Sequence, residues 1–506
     1  MPRFPPLLAV MLAALIAAPL LAPLAVLAQV AAGEFQDTAT MPATPAGARM
    51  RELIDVVNQG DDAALSAFVE TRTTPAFRGE AGAGELTSFL RRMHDLHGIL
   101  AFHSERRFPA RPMPDGIVAI VRTERSQRWL GIMITLEPAP PHRIATLMFN
   151  AARPPLDAVD RTPLDEEGLA RELDAFLAPL AARQAFSGSV LVARGDRIVF
   201  ARGYGEANRE KGLPNRPETR FGLSSMGKMF TAVAIAQLAE QGKLSLDDPL
   251  GKHLGRGWLS ATDRKAITLR QLLSHTAGTG DYLADPRFTG ARGKYRRVDD
   301  YKPLFADATL AFPPGTRYQY SNSGYILLGA VIEKVGGRPY ADTVRSEIWG
   351  PSGMTATGCP DVADGDAGIA VGYYQDREGD QLVWRNTLST VPRFGGPAGG
   401  CVSTVLDLQR FERALRGGTL VSAAMLESLW TDSGPGGARS GYGLGFDVGG
   451  TPGDRVAGHG GSFPGAYGVI DIYRDRDALV VVLSNGNGIG SAQDRARELV
   501  ARLPVP

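Results

Sequence analysis

Residues 221–242 read FGLSSMGKMFTAVAIAQLAEQG. Met229, Val233, Ala236 and Leu238 recur at helical spacing and Gln241-Gly242 closes the run, which predicts one buried helix. Ser225 falls in its expected first turn and Lys228 follows three residues later, so hydroxyl and amine share a helix face. A serine hydroxyl is a poor nucleophile until a base takes its proton, and a lysine kept neutral by desolvation can be that base. The helix N-terminus adds NH groups and a positive dipole end, which favour negative charge developing beside Ser225. Such a pair is often plain helix surface, with the lysine reaching out to water. This segment is too apolar for a solvated face, and no other lysine in the chain has a serine three positions before it.

Further along stand ITLRQLLSHTAG (267–278) and FPPGTRYQYSNSGYILLGAVIEKVGGRPY (312–340). In the second, Tyr320-Ser321-Asn322 precedes an apolar helix expected from about Gly324. Residues two apart on an extended or turn segment project the same way, so the Tyr320 phenol and the Asn322 amide can both face Ser225. In GHGGSFPGAYG (458–468), His459-Gly460-Gly461 opens a strand in which the glycines let a substrate backbone lie close.

On these three groups in this order, the region from about 165 to 503 resembles the serine β-lactamase and penicillin-binding-protein-like superfamily. The likeness is to its class C β-lactamases, D-Ala-D-Ala carboxypeptidases and related esterases. It implies an α+β fold, an antiparallel sheet flanked by helices with a helical subdomain. It also implies that Ser225 is the nucleophile, Lys228 its activating partner, and Tyr320 a second acid/base group that protonates the leaving group. Asn322, His459, Gly460 and Gly461 would bind the substrate, and the backbone NH groups of Ser225 and Ser462 would form the oxyanion hole. For Tyr320 and His459 the plainer reading is structural, a core phenol and a strand-end histidine.

The chain departs from the family at the third group. Lactamases and carboxypeptidases usually carry Lys-Thr-Gly there, and this chain has no lysine after Lys334. A histidine of ordinary pKa near 6.5 is mostly neutral at pH 7 and grips a substrate carboxylate weakly. The expectation is an exported serine hydrolase acting through an acyl-enzyme on small esters, amides or peptides, with no metal and no organic cofactor. The alternatives are a D-Ala-D-Ala carboxypeptidase or β-lactamase, and, from another class, a non-catalytic sensor of the same fold. No Gly-x-Ser-x-Gly elbow occurs to suggest a different hydrolase.

Around this core, SGSVLVARGDRIVFARGYG (187–205) and YGVIDIYRDRDALVVVLSNG (467–486) each read as a hairpin. Strands at both ends with helices between suggest one sheet formed from both, the middle folded over its face. Before them, residues 164–180 carry a helical stripe and 151–163 the proline content of a linker. Residues 46–150 read as three helices followed by four strands, a smaller α+β domain resembling the nuclear-transport-factor-2-like superfamily in element order. A chain of 506 residues exceeds what one core usually serves, in keeping with two domains.

Residues 1–28, one basic residue followed by an apolar run broken at Pro19 and Pro23, read as a signal peptide cleaved after Ala28, with a flexible lead-in over 29–45. An uncleaved anchor is the alternative; after cleavage no membrane span is expected. The protein is therefore expected to be periplasmic or secreted. Its net charge of +1 argues against a nucleic-acid partner, which leaves a small-molecule or peptide substrate. Nothing in the sequence places Cys359 and Cys401 together, so a disulfide and two buried thiols both stand. His94 and His97 share a helix turn without a carboxylate or third histidine at recognisable spacing, so no metal is expected there. The basic loop holding Arg287, Arg292, Lys294, Arg296 and Arg297 reads as solvated, with an acidic substrate as the sharper alternative.

Overall fold

The computed structural model describes residues 35–79, 82–362, 368–378, 381–392, 394–437 and 440–505. The expected signal peptide over 1–28 and all else that precedes Phe35 lie outside the described residues.

The chain opens with β1 (Gln36–Thr38), then helices α1 (Pro45–Gln59), α2 (Asp62–Arg72) and α3 (Gly82–His97). Strands β2 (Leu100–Arg107), β3 (Gly116–Thr123), β4 (Trp129–Leu136) and β5 (Ile144–Ala151) follow. Helix α1 is well punctuated: the Thr44 side chain accepts from the Gly47 NH, proline holds the first helical position, and Gly60 ends it at φ 61°. The five strands lie in sequence order as one antiparallel sheet. Met50, Leu53 and Val57 of α1 pack with Leu65, Ile132 and Ile134 in a core of their own. Residues 36–38, expected to be part of a flexible lead-in, are instead paired with β2, where Arg106 grips Asp37 through two hydrogen bonds of 2.8 and 2.7 Å.

Beyond the exposed stretch 157–163 comes α4 (Glu166–Ala182), then the hairpin β6 (Gly188–Arg194) and β7 (Arg197–Tyr204). Helices α5 (Lys228–Glu240) and α6 (Asn322–Gly336) form the middle, followed by the hairpin β8 (Tyr373–Glu378) and β9 (Gln381–Asn386) and by α7 (Val405–Arg416). Strands β10 (Asp447–Gly449), β11 (Val456–Phe463), β12 (Ala466–Tyr473) and β13 (Ala478–Ser484) and helix α8 (Ile489–Ala501) complete the fold. The sheet order is β10-β11-β12-β13-β6-β7, every pair antiparallel. The two hairpins thus meet in one sheet, as their sequences suggested.

Strand period 2 divides the apolar residues between two cores. Leu191, Ala193, Leu479, Val481 and Leu483 face the helical side with Phe230, Trp349 and Phe411. Val190, Val192, Val480 and Val482 face Leu169, Leu173 and Leu177 of α4 and Leu499 and Val500 of α8. Helix α5 is buried on nearly every side, which is why its sequence is apolar all round. Arg128 of the loop before β4 pairs with Asp494 of α8 at 2.8 Å, and Asp95 of α3 pairs with Arg377 of β8 at 3.1 Å, joining the N-terminal part to the rest.

One ion pair sits inside the second core. Asp471 of β12 is fully buried and accepts hydrogen bonds of 2.7 and 2.8 Å from Arg497 of α8. Removing Asp471 leaves the largely buried Arg497 guanidinium without its partner. The variant Asp471→Ala should lose about 3–5 kcal/mol of stability in urea or thermal unfolding.

Candidate active site

Phe221 and Gly222 pair with Val402 and Ser403, which ties the incoming chain into a short ladder. Ser224–Gly227 then form a 3-10 turn, and the α-helix proper starts only at Lys228. Ser225 therefore stands on this tight turn, not in the first α-turn that the periodicity predicted. The residue before it, Ser224, has φ 48°, a left-handed conformation uncommon outside glycine. Two contacts hold it there: the Ser224 hydroxyl donates to Ala466 O at 2.8 Å, and its carbonyl accepts from the Gly400 NH at 3.1 Å. Gly399 is required beside this turn, since at φ 134° any Cβ would stand 2.1 Å from the Ser224 carbonyl oxygen.

Lys228 is fully buried. Its Nζ lies 3.2 Å from Ser225 Oγ, 2.7 Å from Asn322 Oδ1 and 2.6 Å from Ala398 O. Burial brings its pKa down to about 7, against the smaller opposing pull of Asp281 and Asp447. Two of the three partners are carbonyl oxygens that only accept. A neutral amine donates its two hydrogens to them and turns its lone pair to the Ser225 hydroxyl, the arrangement a general base needs.

The Tyr320 hydroxyl is buried, and among the described residues it has no hydrogen-bond partner within normal distance. Burial pushes it well above the ordinary phenol value, and Ser225 is the neighbour that draws it back. Tyr320 is a neutral phenol here, with a proton to give. Its ring lies 4.8 Å from Lys228 Nζ. Asn322 opens α6 one residue behind the Ser321 N-cap, so this helix begins two residues earlier than expected. With Oδ1 on Lys228, its Nδ2 donates to Asp281 Oδ2 at 2.8 Å, which fixes the amide orientation. Burial raises the Asp281 pKa, opposed by the Leu283 NH, Asn322 and Lys228.

The third group needs a correction. His459 on β11 is buried; its Nε2 lies 2.9 Å from the Tyr442 hydroxyl and its Nδ1 2.5 Å from Gly460 O. A carbonyl only accepts, so Nδ1 carries the proton and Nε2 accepts from Tyr442. Both nitrogens are engaged within the protein, and burial, helped by Lys228, brings the pKa down to about 3. His459 thus presents no charge between pH 5 and 8 and no spare donor to a substrate. Gly461 serves close packing: a Cβ there would stand 2.2 Å from Leu223 O, against the nucleophile turn. The Gly460 NH donates to Asp447 Oδ2 at 3.1 Å, and burial pushes that carboxyl up to about 7. Ser462, at the end of the strand, shares a pocket wall with Ser225.

That pocket is a cavity of about 140 Å³. Among the described residues lining it, Phe221, Tyr282, Ile326, Val371, Leu388 and Phe463 supply apolar surface, and none is lysine, arginine or histidine. In the basic loop Arg287 pairs with Asp285, Arg292 donates to Thr390 O, and Arg296 covers the Phe394 ring. His94 contacts Val57 O and His97 the Ser126 hydroxyl, and no group of three metal-binding side chains occurs among the described residues. Asp281, Asp447, Tyr442 and the Ala398 carbonyl are not singled out by the sequence, since three lie in loops and Asp447 opens a three-residue strand too short to show a pattern.

Cys359 and Cys401 form a disulfide. Cys401 O accepts from the Leu223 NH at 2.8 Å, three residues from the carbonyl that holds Lys228. Replacing both cysteines by serine should cost about 2–4 kcal/mol of stability. It should also lower turnover by loosening residues 398–401, read by thermal melting and by activity with and without reductant.

The family model described as Beta-lactamase matches residues 173–503. Penicillin-binding protein 4* of Bacillus subtilis (strain 168) is 30% identical over 330 residues, 62% of this chain and 71% of that protein. Esterase EstB of Burkholderia gladioli is 35% identical over 211 residues, 38% of this chain and 53% of that one. Among solved structures, a D-stereospecific amidohydrolase from Streptomyces sp. superposes with a TM-score of 0.54 at 29% identity, covering 66% of this chain and 98% of the other. With the family model spanning most of the chain and a serine and lysine joined at the heart of the fold, the protein belongs to the beta-lactamase family and is a serine hydrolase of its esterase or peptidase type.

Proposed function

We propose that the protein is an exported hydrolase that cleaves small neutral esters or amides through an acyl-enzyme on Ser225. Neutral Lys228 takes the Ser225 proton as Oγ attacks the substrate carbonyl. The backbone NH groups of Ser225 and Ser462 receive the oxyanion. The Tyr320 phenol gives its proton to the departing oxygen or nitrogen and regains one from the water that later cleaves the acyl-enzyme. Export is supported by the apolar leader and by the disulfide, a bond that persists in oxidising compartments.

One observation carries the substrate reading: the pocket around Ser225 is mostly apolar, and none of the described residues lining it is lysine, arginine or histidine. A penicillin or a peptide with a free C-terminus brings a carboxylate, which loses its hydration on entry and needs a charged partner to replace it. His459, neutral and already bonded at both nitrogens, is not that partner. A second reading rests on Asp281, which orients Asn322 beside Lys228. A carboxylate there suits an amide substrate carrying an ammonium group, in line with the similarity to an amidohydrolase.

Short-chain aryl esters and amino-acid amides should be turned over at pH 7 faster than penicillins or cephalosporins. Faster turnover of a β-lactam would overturn the substrate reading. Ser225→Ala should lose on the order of 10⁴-fold or more in kcat while keeping its melting temperature. If fluorophosphonate leaves the wild-type protein unlabelled, the protein is a non-catalytic sensor and the hydrolase reading fails.

The pH dependence follows from Lys228. Its amine must be neutral to accept a proton, so kcat/KM should rise with pH through about 7 and level off above it. Asp447 raises the lysine pKa, so Asp447→Asn should shift this rising limb to lower pH. His459 adds no separate step between pH 5 and 8, and ester and carboxylate-bearing substrates should share one profile shape.

A further inference from the structure

We infer that His275 is a positioning residue of the reaction, holding the Tyr320 phenol over Ser225 from behind. The inference rests on the hydrolase reading above, in which Tyr320 moves the leaving-group proton.

Tyr320 belongs to no helix or strand, since α6 begins only at Asn322. Among the described residues its hydroxyl makes no hydrogen bond of normal length and faces only Ser225, so the aim of the phenol comes from the backbone and the ring. Both come from one residue. The Gln319 NH donates to the His275 carbonyl at 2.9 Å, and the Ser321 NH donates to His275 Nδ1 at 3.0 Å. The residues on either side of Tyr320 are therefore tied to the backbone and side chain of His275. The His275 ring also lies against the Tyr320 ring, centroids 4.1 Å apart, with Tyr442 and Tyr325 at 4.6 and 5.1 Å.

Two further features set His275 apart from a filler of the core. A backbone NH can only donate, so Nδ1 accepts and the proton sits on Nε2, which is buried without a partner among the described residues. The residue also holds φ 58°, a conformation that costs a non-glycine side chain and persists only where the surroundings enforce it. The ring is 1% exposed and therefore stays neutral, disfavoured as a cation first by burial and then by Lys228 and His459. What this strained, neutral residue secures is the bracket around Tyr320.

The test uses variants of the full chain that suit the backbone. His275→Gly accepts a positive φ but removes ring and acceptor; His275→Asn tolerates it too and keeps an acceptor near the Ser321 NH. With an aryl ester, His275→Gly should lose about 100-fold in kcat at a KM within about twofold of wild type, as expected for a misplaced catalytic group. His275→Asn should recover about tenfold of that loss, since the acceptor returns and the ring does not. In a Tyr320→Phe background either change should lower kcat by less than about twofold, because the group they position is gone.

Wild-type kcat in either single variant would overturn the proposal, as would an equal loss with and without the Tyr320 hydroxyl. Should His275→Gly fail to fold by circular dichroism, His275→Asn in the two backgrounds decides alone. Labelling of the wild-type protein by fluorophosphonate separates the two levels. No labelling defeats the hydrolase reading itself, whereas labelling with unaffected His275 variants defeats only the positioning role.

Discussion

A fully buried lysine amine holds the site together. Lys228 enters the interior without a carboxylate bonded to it, its Nζ on Asn322, Ala398 and Ser225. A buried ammonium without a paired anion is costly, so the group relieves the cost by releasing its proton. The same desolvation that would count against stability in another place creates the base. Each partner must be brought by a different part of the chain: Asn322 by the start of α6, Ala398 by the disulfide-tethered segment, Ser225 by the strained turn. The sheet supplies none of the three, but its Ala466 carbonyl holds the turn that carries Ser225.

Much of this was legible because it is local. Ser225 and Lys228 are three residues apart, Tyr320 and Asn322 two, and the hairpins announce themselves through alternation and turn residues. The rest depends on distant neighbours. His459 reads as a substrate-facing group until Tyr442, seventeen positions earlier, takes its Nε2. Asp281 meets Asn322 across 41 residues, and the paired cysteines stand 42 apart. The start of α5 was misread for a similar reason. Helical spacing runs back through Ser225, but the pairing of Phe221 and Gly222 with Val402 and Ser403 forces the turn to tighten before an α-helix can begin.

The N-terminal part is tied to the rest at a telling place. Its Asp95 reaches Arg377 on β8, and the hairpin of β8 and β9 springs from Val371-Gly372 and returns through Thr387-Leu388, all four of which line the pocket. One wall of the substrate cavity is thus the base of a hairpin whose outer length leans on a separately cored unit. The wall is held from both ends.

Strand β13 pairs with β6 through Val480 opposite Val192, and Ser484 donates to Ser187 O across 297 residues of chain. In kinetic terms this is a sheet of high contact order, whose central pairing closes a longer loop than any other strand pair among the described residues. During synthesis the nucleophile turn is made long before its support. Ala466, whose carbonyl holds Ser224, emerges some 240 residues after it. Ser225 therefore passes nearly half of the chain's synthesis without this support. The site is complete only once the last hairpin docks, in whichever compartment that docking is finished.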